Sequence, residues 1–138
     1  MEIMRAAGLL TVVAVSLSPT ASADVKRHVS IPEPLWGSWA PSAESCDQAG
    51  KSIIALAAKS YVSPEARCTV DWVAETPGAR GPIYSAHLQC SGTAEPARKA
   101  VSNVILLPTD SDRLSVGADF SSLKGYRRCP ASAPASAR

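Results

Sequence analysis

Four cysteines carry the clearest chemistry in this chain: Cys46, Cys68, Cys90 and Cys129. Cysteines in such numbers either bind a metal or pair as disulfides, and structural zinc needs closely spaced pairs such as Cys-x-x-Cys. The intervals here are 22, 22 and 39 residues, and neither His28 nor His87 stands at ligand spacing from a cysteine. We therefore expect two disulfides and no metal site.

Acid–base chemistry would be the other use of the polar residues, and Asp71 with His87 is the first pair to consider. An aspartate can orient an imidazole, but a triad also needs a nucleophile, and no serine stands in a Gly-x-Ser-x-Gly elbow. The acidic residues lie mainly in predicted turns or on outward faces of strands. We predict that the chain is not an enzyme and holds no cofactor.

The N-terminus has the pattern of a secretory signal peptide. Arg5 precedes an apolar stretch from Ala6 to Leu17, and Ala21-Ser22-Ala23 is a small-residue cleavage site. The apolar stretch is about 12 residues long, whereas a membrane-spanning helix needs about 20. The sequence predicts cleavage after Ala23, a periplasmic or secreted protein and no stable membrane anchor. Disulfides persist in those compartments.

Composition divides the chain into four parts. Residues 1–23 are the predicted signal peptide, and residues 24–34 carry charge and prolines and are expected to be an irregular N-terminal segment. Residues 131–138, rich in Ala and Ser, are expected to be a disordered tail. A single domain, residues 35–130, remains, and a core of that size often needs cross-links.

Short runs of strand-forming residues separated by turn residues indicate an all-β domain, a small antiparallel sheet or barrel of about 7–8 short strands. One run allows a second interpretation, since the alanines in Ser52 to Lys59 also suit a helical turn or two. The predicted strands are Leu35–Ala40, Ser52–Ala58, Tyr61–Ser63, Arg67–Thr76, Pro82–Ser91, Val101–Leu107, Arg113–Ala118 and Gly125–Cys129.

The Pro- and Gly-rich segment 76–82 predicts a hairpin turn. If the turn is centred on Ala79, apolar residues collect on one face of the hairpin and mostly polar residues on the other. The apolar face would pair Cys68 with Cys90, Val70 with Leu88, Trp72 with Ala86, and Ala74 with Tyr84; the other would pair Asp71 with His87. Facing cysteines are close enough to bond, so we predict Cys68–Cys90 and, by elimination, Cys46–Cys129.

A second hairpin is predicted around the segment 108–113, which has the composition of a four-residue turn. With Pro108 opposite Arg113, Leu107 would face Leu114. The same register would place Ile105 opposite Val116 and collect apolar side chains on one face.

Charge gives little indication of a polyanionic partner. The chain has 14 Lys and Arg against 12 Asp and Glu, a net charge of +2. Nucleic-acid-binding domains usually carry a denser basic stripe together with exposed aromatic residues, so we expect no nucleic-acid partner. An anionic ligand or an acidic partner remains open, and the basic residues that would serve it are Arg98, Lys99, Lys124, Arg127 and Arg128.

Gly37-Ser38-Trp39 resembles the Gly-x-Trp that opens the first strand of lipocalin-like barrels and of small barrel-type bacterial protease inhibitors. The resemblance implies that an arginine from the last strand covers the tryptophan, and Arg127 or Arg128 could do so through a cation–π contact. A broader resemblance runs from Trp36 to Cys129. It rests on the order Gly37-x-Trp39-Ala40, Cys46, an apolar strand around Ile53 and Ile54, Cys68-Thr69-Val70, Tyr84 to Cys90, Leu114 and Tyr126-Arg127-Arg128-Cys129. This order is similar to a family of small secreted alphaproteobacterial β proteins with four cysteines and no assigned activity.

We predict that the protein is a non-catalytic binding or structural module of the cell envelope with an unknown envelope component as partner. The alternative is an inhibitor of a secreted hydrolase, a protease or a lysozyme, with Gly92–Ala100 or Pro77–Pro82 as the inhibitory loop. The candidate binding residues are Trp36, Trp39, Arg98, Lys99, Arg127 and Arg128.

Overall fold

A computed structural model describes residues 11–16, 24–47, 50–92 and 94–130. The predicted tail, 131–138, and most of the predicted signal peptide, 1–23, lie outside the described residues. Two 3-10 helices, Glu33–Leu35 and Phe120–Ser122, accompany nine strands among the described residues. The strands are β1 (Lys26–His28), β2 (Gly37–Pro41), β3 (Ile54–Ala57), β4 (Ser60–Val62), β5 (Ala66–Gly78), β6 (Gly81–Gly92), β7 (Lys99–Asp110), β8 (Arg113–Gly117) and β9 (Lys124–Arg128).

The strands form a closed antiparallel barrel, which confirms the predicted all-β class. Each strand from β2 to β9 pairs with the next along the chain, and β9 pairs with β2 to complete the ring. The short segment that the sequence indicated as strand or helical turn is the strand β3. β1 lies outside this ring. It pairs with residues 73–75 of β5, along the part of that strand that β4 leaves uncovered.

Residues 24–34, expected to be irregular, contribute both β1 and the beginning of the first 3-10 helix. Ile31 is fully buried in the main core and its amide donates to the Ala58 carbonyl at 2.9 Å. The three apolar residues of this segment, Val25, Val29 and Ile31, stand at unequal spacings among charged residues and prolines. They give no regular period, so the local pattern did not predict this contact.

Both predicted disulfides are present, Cys68–Cys90 across β5 and β6 and Cys46–Cys129 between the β2–β3 connection and the end of β9. The cross-strand register from Cys68–Cys90 to Val70–Leu88 is confirmed. The second bridge closes 83 residues of chain. In the chain-entropy model a loop of that length is worth about 4 to 5 kcal/mol, comparable with the net stability of a small domain.

Beyond Val70 the predicted register is wrong, because a β-bulge at Asp71 adds one residue to β5. Trp72 therefore stands opposite His87 rather than Ala86, and Val73 takes the inward position facing Ala86. The bulge places two fully buried residues, Val73 and Ala86, in the core and turns the larger Trp72 outward.

The same shift changes the turn of this hairpin. The predicted pairs Ala74–Tyr84 and Asp71–His87 are replaced by Glu75–Tyr84 and Trp72–His87, and the turn has two residues, between Gly78 and Gly81. A Cβ on Gly78 would lie 2.7 Å from the Gly81 carbonyl oxygen, and Gly81 has φ +131°. Glycine is needed at both positions.

The second hairpin is also displaced by one residue. Leu106 faces Val116 and Pro108 faces Leu114, whereas the sequence predicted Ile105 and Leu107 in those positions. The pairing is irregular between Pro108 and Asp110, so Asp110 faces Arg113 across a tight turn. In this turn the Asp112 amide donates to the Asp110 carboxylate at 2.8 Å.

One end of the barrel is sealed by Trp39, which is fully buried and donates from its indole N–H to the Leu35 carbonyl at 3.1 Å. The guanidinium of Arg128 lies 4.3 Å from the centre of the Trp39 ring. It also donates to the carbonyls of Pro34 at 2.5 Å, Trp36 at 2.8 Å and Ser111 at 3.1 Å. Arg128 therefore ties the first 3-10 helix and the β7–β8 turn to the end of β9.

Replacing Arg128 with Met should destabilise the fold by about 2–4 kcal/mol, since it removes a cation–π contact and charge-assisted hydrogen bonds to three carbonyls. Arg127→Met is the matched control because Arg127 is exposed and makes one such bond, to the Glu44 carbonyl. Urea unfolding of the oxidised variants measures the difference. Equal stability of the two variants would contradict the sealing role of Arg128.

Candidate binding site

The opposite end of the barrel contains a cavity of about 380 Å³. It is bordered by the β4–β5 turn, by the first half of β7 and by the β8–β9 connection, and residues of the six strands β4 to β9 form its inner surface. The residues that line it are Tyr61, Ser63, Glu65, Ala66, Cys68, Leu88, Cys90, Ser102, Asn103, Val104, Val116, Gly117, Ala118, Ser122, Lys124 and Tyr126.

The floor of the cavity is apolar and its rim is polar. Leu88, Val104 and Val116 are core residues that are at most 5% exposed, and the Cys68–Cys90 disulfide forms part of the same surface. The charged groups at the rim are Lys124 and Glu65, both exposed. An apolar floor with a few polar groups at the entrance is typical of small-molecule sites.

Two tyrosines border the cavity at half-buried positions. Tyr61 on β4 stands opposite Cys68, and Tyr126 on β9 stands opposite Leu114, so both project inward. Burial raises the pKa of Tyr61 to about 12, and the charge that Tyr126 acquires when it ionises and the charge of Glu65 add to the effect. The pKa of Tyr126 is also raised, first by burial and then by Glu44 and Glu65. Both phenols are neutral hydrogen-bonding groups near pH 7.

A second cavity of about 370 Å³ adjoins the first. The two share Tyr61, Ser63, Glu65, Lys124 and Tyr126, and the second extends along the β2–β3 connection to Lys51. The two tyrosines therefore stand between two compartments, and a ligand longer than one compartment would contact both sides of them.

The six predicted binding residues lie elsewhere. Trp36, Trp39 and Arg128 meet at the sealed end; Trp36 is 39% exposed and donates from its indole N–H to the Ile31 carbonyl at 2.7 Å. Arg127 lies on the outer surface against the β2–β3 connection. Arg98 lies in the exposed connection into β7, 3.6 Å from the Glu95 carboxylate, and Lys99 is the exposed first residue of β7.

The inward orientation of Tyr61, Tyr126 and Lys124 was not predicted from the sequence. A usable signal was present, because Lys124 and Tyr126 alternate with Arg127 and Gly125 along β9, and alternate residues of a strand share a face. The alternation does not say which face is inward. The pairing of Lys124 with Val116 and of Tyr126 with Leu114 on β8 shows it.

The outer face of the barrel carries a separate aromatic stack. The rings of Trp72 and His87 are stacked with centroids 3.6 Å apart, and the Arg27 guanidinium lies 3.7 Å from the Trp72 centroid. β1 and β6 flank β5, so Arg27 and His87 reach Trp72 from its two sides. This stack attaches β1 to the barrel, whereas Asp71 contacts Gln89.

The comparisons with known proteins leave the fold and the cavity as the basis for any functional argument. No protein family, no curated protein and no solved structure matches the chain. Among residues 11–16, 24–47, 50–92 and 94–130, no helix is long and apolar enough to cross a membrane. Two disulfides in a small barrel are compatible with an extracytoplasmic location.

Alkaline titration should show raised pKa values for all three tyrosines, with Tyr61 ionising last as a separate late component. Tyr61 keeps its proton to about pH 12 in the folded chain and ionises near pH 10 when unfolded. Its contribution to stability is therefore present below pH 10 and is lost as the pH rises towards 12. Absorbance at the phenolate band measures this, and Tyr61→Phe should remove the late component. A late component that persists in Tyr61→Phe would refute the assignment.

Proposed function

We propose that this protein is a non-catalytic binding module that acts outside the cytoplasm and takes a component of the cell envelope into the open end of its barrel. The observation that carries the proposal is the asymmetry of the barrel. Trp39 and Arg128 fill one end, whereas the other end retains a lined cavity with an apolar floor and a polar rim. Side chains fill the interior of most small barrels, so the unfilled end favours a ligand.

The size and chemistry of the cavity restrict the ligand. A volume of about 380 Å³ is near the lower end of the range for small-molecule sites, and the adjoining compartment nearly doubles it. The ligand would place an apolar portion against Leu88, Val104 and Val116. Its polar portion would meet the two phenols, Lys124 and Glu65 at the rim.

The rim favours binding over catalysis. A general acid or base works best with a pKa near the operating pH, whereas burial raises the pKa of Tyr61 to about 12. The neutral phenol of Tyr61 can donate or accept a hydrogen bond, which suits ligand recognition.

A substitution that fills the cavity should abolish binding. Ser102 is exposed, faces Leu88 from β7 and lines the cavity, so Ser102→Trp would occupy the site without disturbing a buried residue. Gln89→Trp is the matched control, because Gln89 is exposed on the outer face of the neighbouring strand.

The probe is a set of envelope extracts, lipids and soluble cell-wall fragments, with bound species detected by native mass spectrometry of the oxidised chain. We expect one class of compound on the wild type and on Gln89→Trp, and at least ten-fold less on Ser102→Trp. Retention of the same compound by Ser102→Trp at wild-type level would exclude the cavity as the binding site.

A hydrolase inhibitor is the second candidate, and the β6–β7 connection is the observation that favours it. Residues 94–100 are all exposed, and Glu95 and Arg98 form an ion pair across one turn of this segment. An exposed segment held by strands on both sides is the kind of structure that enters an enzyme cleft.

Replacement of residues 94–98 by Gly and Ser should abolish inhibition if this candidate is correct, and should leave cavity binding unchanged. The assay measures residual activity of a serine protease, a metalloprotease and a lysozyme with increasing amounts of the oxidised chain. Ser102→Trp serves as the control with an intact connection. Full activity of all three enzymes at a large excess of wild-type chain would count against inhibition of these classes.

A further inference from the structure

Among the strands that the structure describes, the first half of β7 has a neighbour on one side only. β7 pairs with β6 from Lys99 to Leu106, whereas its pairing with β8 begins at Ile105 opposite Gly117. Residues 99–104 therefore present a free sheet edge. In such an edge, alternate residues direct an unpaired N–H and C=O away from the sheet.

The chain turns away from β7 at Gly117 for a local reason. Asp119 and Ser122 form a reciprocal capping box that starts the second 3-10 helix, with the Asp119 carboxylate 2.9 Å from the Ser122 amide. This helix passes close over the end of β8, since a Cβ on Gly117 would lie 2.8 Å from the Ser122 carbonyl oxygen. β8 ends there, and β7 continues without it.

The space beside the free edge is the cavity already described. Ser102, Asn103 and Val104 of the edge line one side of it, and Gly117, Ala118 and Ser122 line the other. An extended segment in this space would continue the line of β8 and hydrogen-bond to β7.

The edge also lacks the usual protection against strand pairing. Edge strands are commonly blocked by charges, prolines or bulges. Residues 99–104 contain one charge, Lys99, at the end, and Val101 in the middle is 81% exposed. An apolar β-branched residue at that position favours contact with another strand.

We propose that this edge binds an extended peptide segment of a partner protein as an added strand, with one bulky apolar side chain of the segment inserted into the cavity. The proposal rests on the proposed binding function and names its partner class. Main-chain hydrogen bonds to 99–103 would provide affinity, and the cavity would select the inserted side chain.

Charge complementarity indicates the neighbouring residue of the segment. Lys99 begins the edge and lies on the outer face with Arg67 and Asp71, whereas Lys124 and Glu65 balance each other at the cavity rim. The excess of positive charge on the outer face favours an acidic residue next to the inserted apolar one, since adjacent residues of a strand point to opposite faces. A second copy of this chain is a poorer occupant, because pairing two edges of six residues involves far fewer residues than the 20–30 a side of a stable dimer.

Peptides of 12 residues are selected from a phage-displayed random library for binding to the oxidised chain. The best binder is then synthesised as a series of variants, each with one N-methyl group at a different position. Strand addition predicts that N-methylation weakens binding at least ten-fold at every second position of a central stretch and has little effect between. Replacing the apolar anchor with Ala should weaken binding about ten-fold. Deuterium exchange should show protection of amides within residues 99–103 on binding.

Other outcomes would overturn the proposal. A selected peptide that tolerates N-methylation throughout but is lost in Ser102→Trp would retain the cavity as a binding site and exclude strand addition. Selection of no peptide, with a small envelope compound bound in the cavity, would exclude a peptide partner while the proposed function stands. A dimer seen by sedimentation and dissolved by Val101→Lys would assign the edge to a second copy.

Discussion

Closure of the sheet is the constraint on which the rest of this structure depends. β2 and β9 are the first and last strands of the barrel, and their pairing from Trp39–Arg128 to Pro41–Tyr126 joins distant parts of the chain. Bringing them together is entropically costly, and two contacts offset that cost at the same place. Cys46–Cys129 links the connection after β2 to the end of β9, and Arg128 covers Trp39.

One end of the barrel stays open because the contacts that close the sheet are concentrated at the other end. Arg128, Trp39 and the first 3-10 helix concentrate packing and hydrogen bonds at one end of the barrel. The strands β5, β6 and β7 have 12 or 13 residues, whereas the other barrel strands have three to five. Long strands beside short ones cannot all be paired along their length. The unpaired remainder of β7 and the cavity beside it lie where the short strands end.

Much of the barrel was predictable from the sequence because alternation and turn composition are local signals. All eight barrel strands were expected near their observed positions, and the Cys68–Cys90 register followed from the segregation of apolar residues near the bridge. The predicted contact between an arginine of the last strand and Trp39 is present, made by Arg128.

The bulge at Asp71 was not predictable, because it depends on whether Val73 or Trp72 fits the core, which tertiary packing decides. β1 was missed because three residues give too short a pattern. The cavity was missed because it arises from unequal strand lengths, and no single residue encodes that difference.

The most direct test of this account is amide hydrogen exchange of the oxidised chain, resolved residue by residue by NMR. A barrel that is sealed at one end and open at the other predicts slow exchange at the sealed end, in β2 and in Arg127 and Arg128, and in residues 105 and 106 of β7, where strands lie on both sides. Within residues 99–104 it predicts fast exchange at alternate amides, those that point to the vacant side. Uniformly slow exchange along β7 would show that the edge is already covered and would contradict an open barrel end.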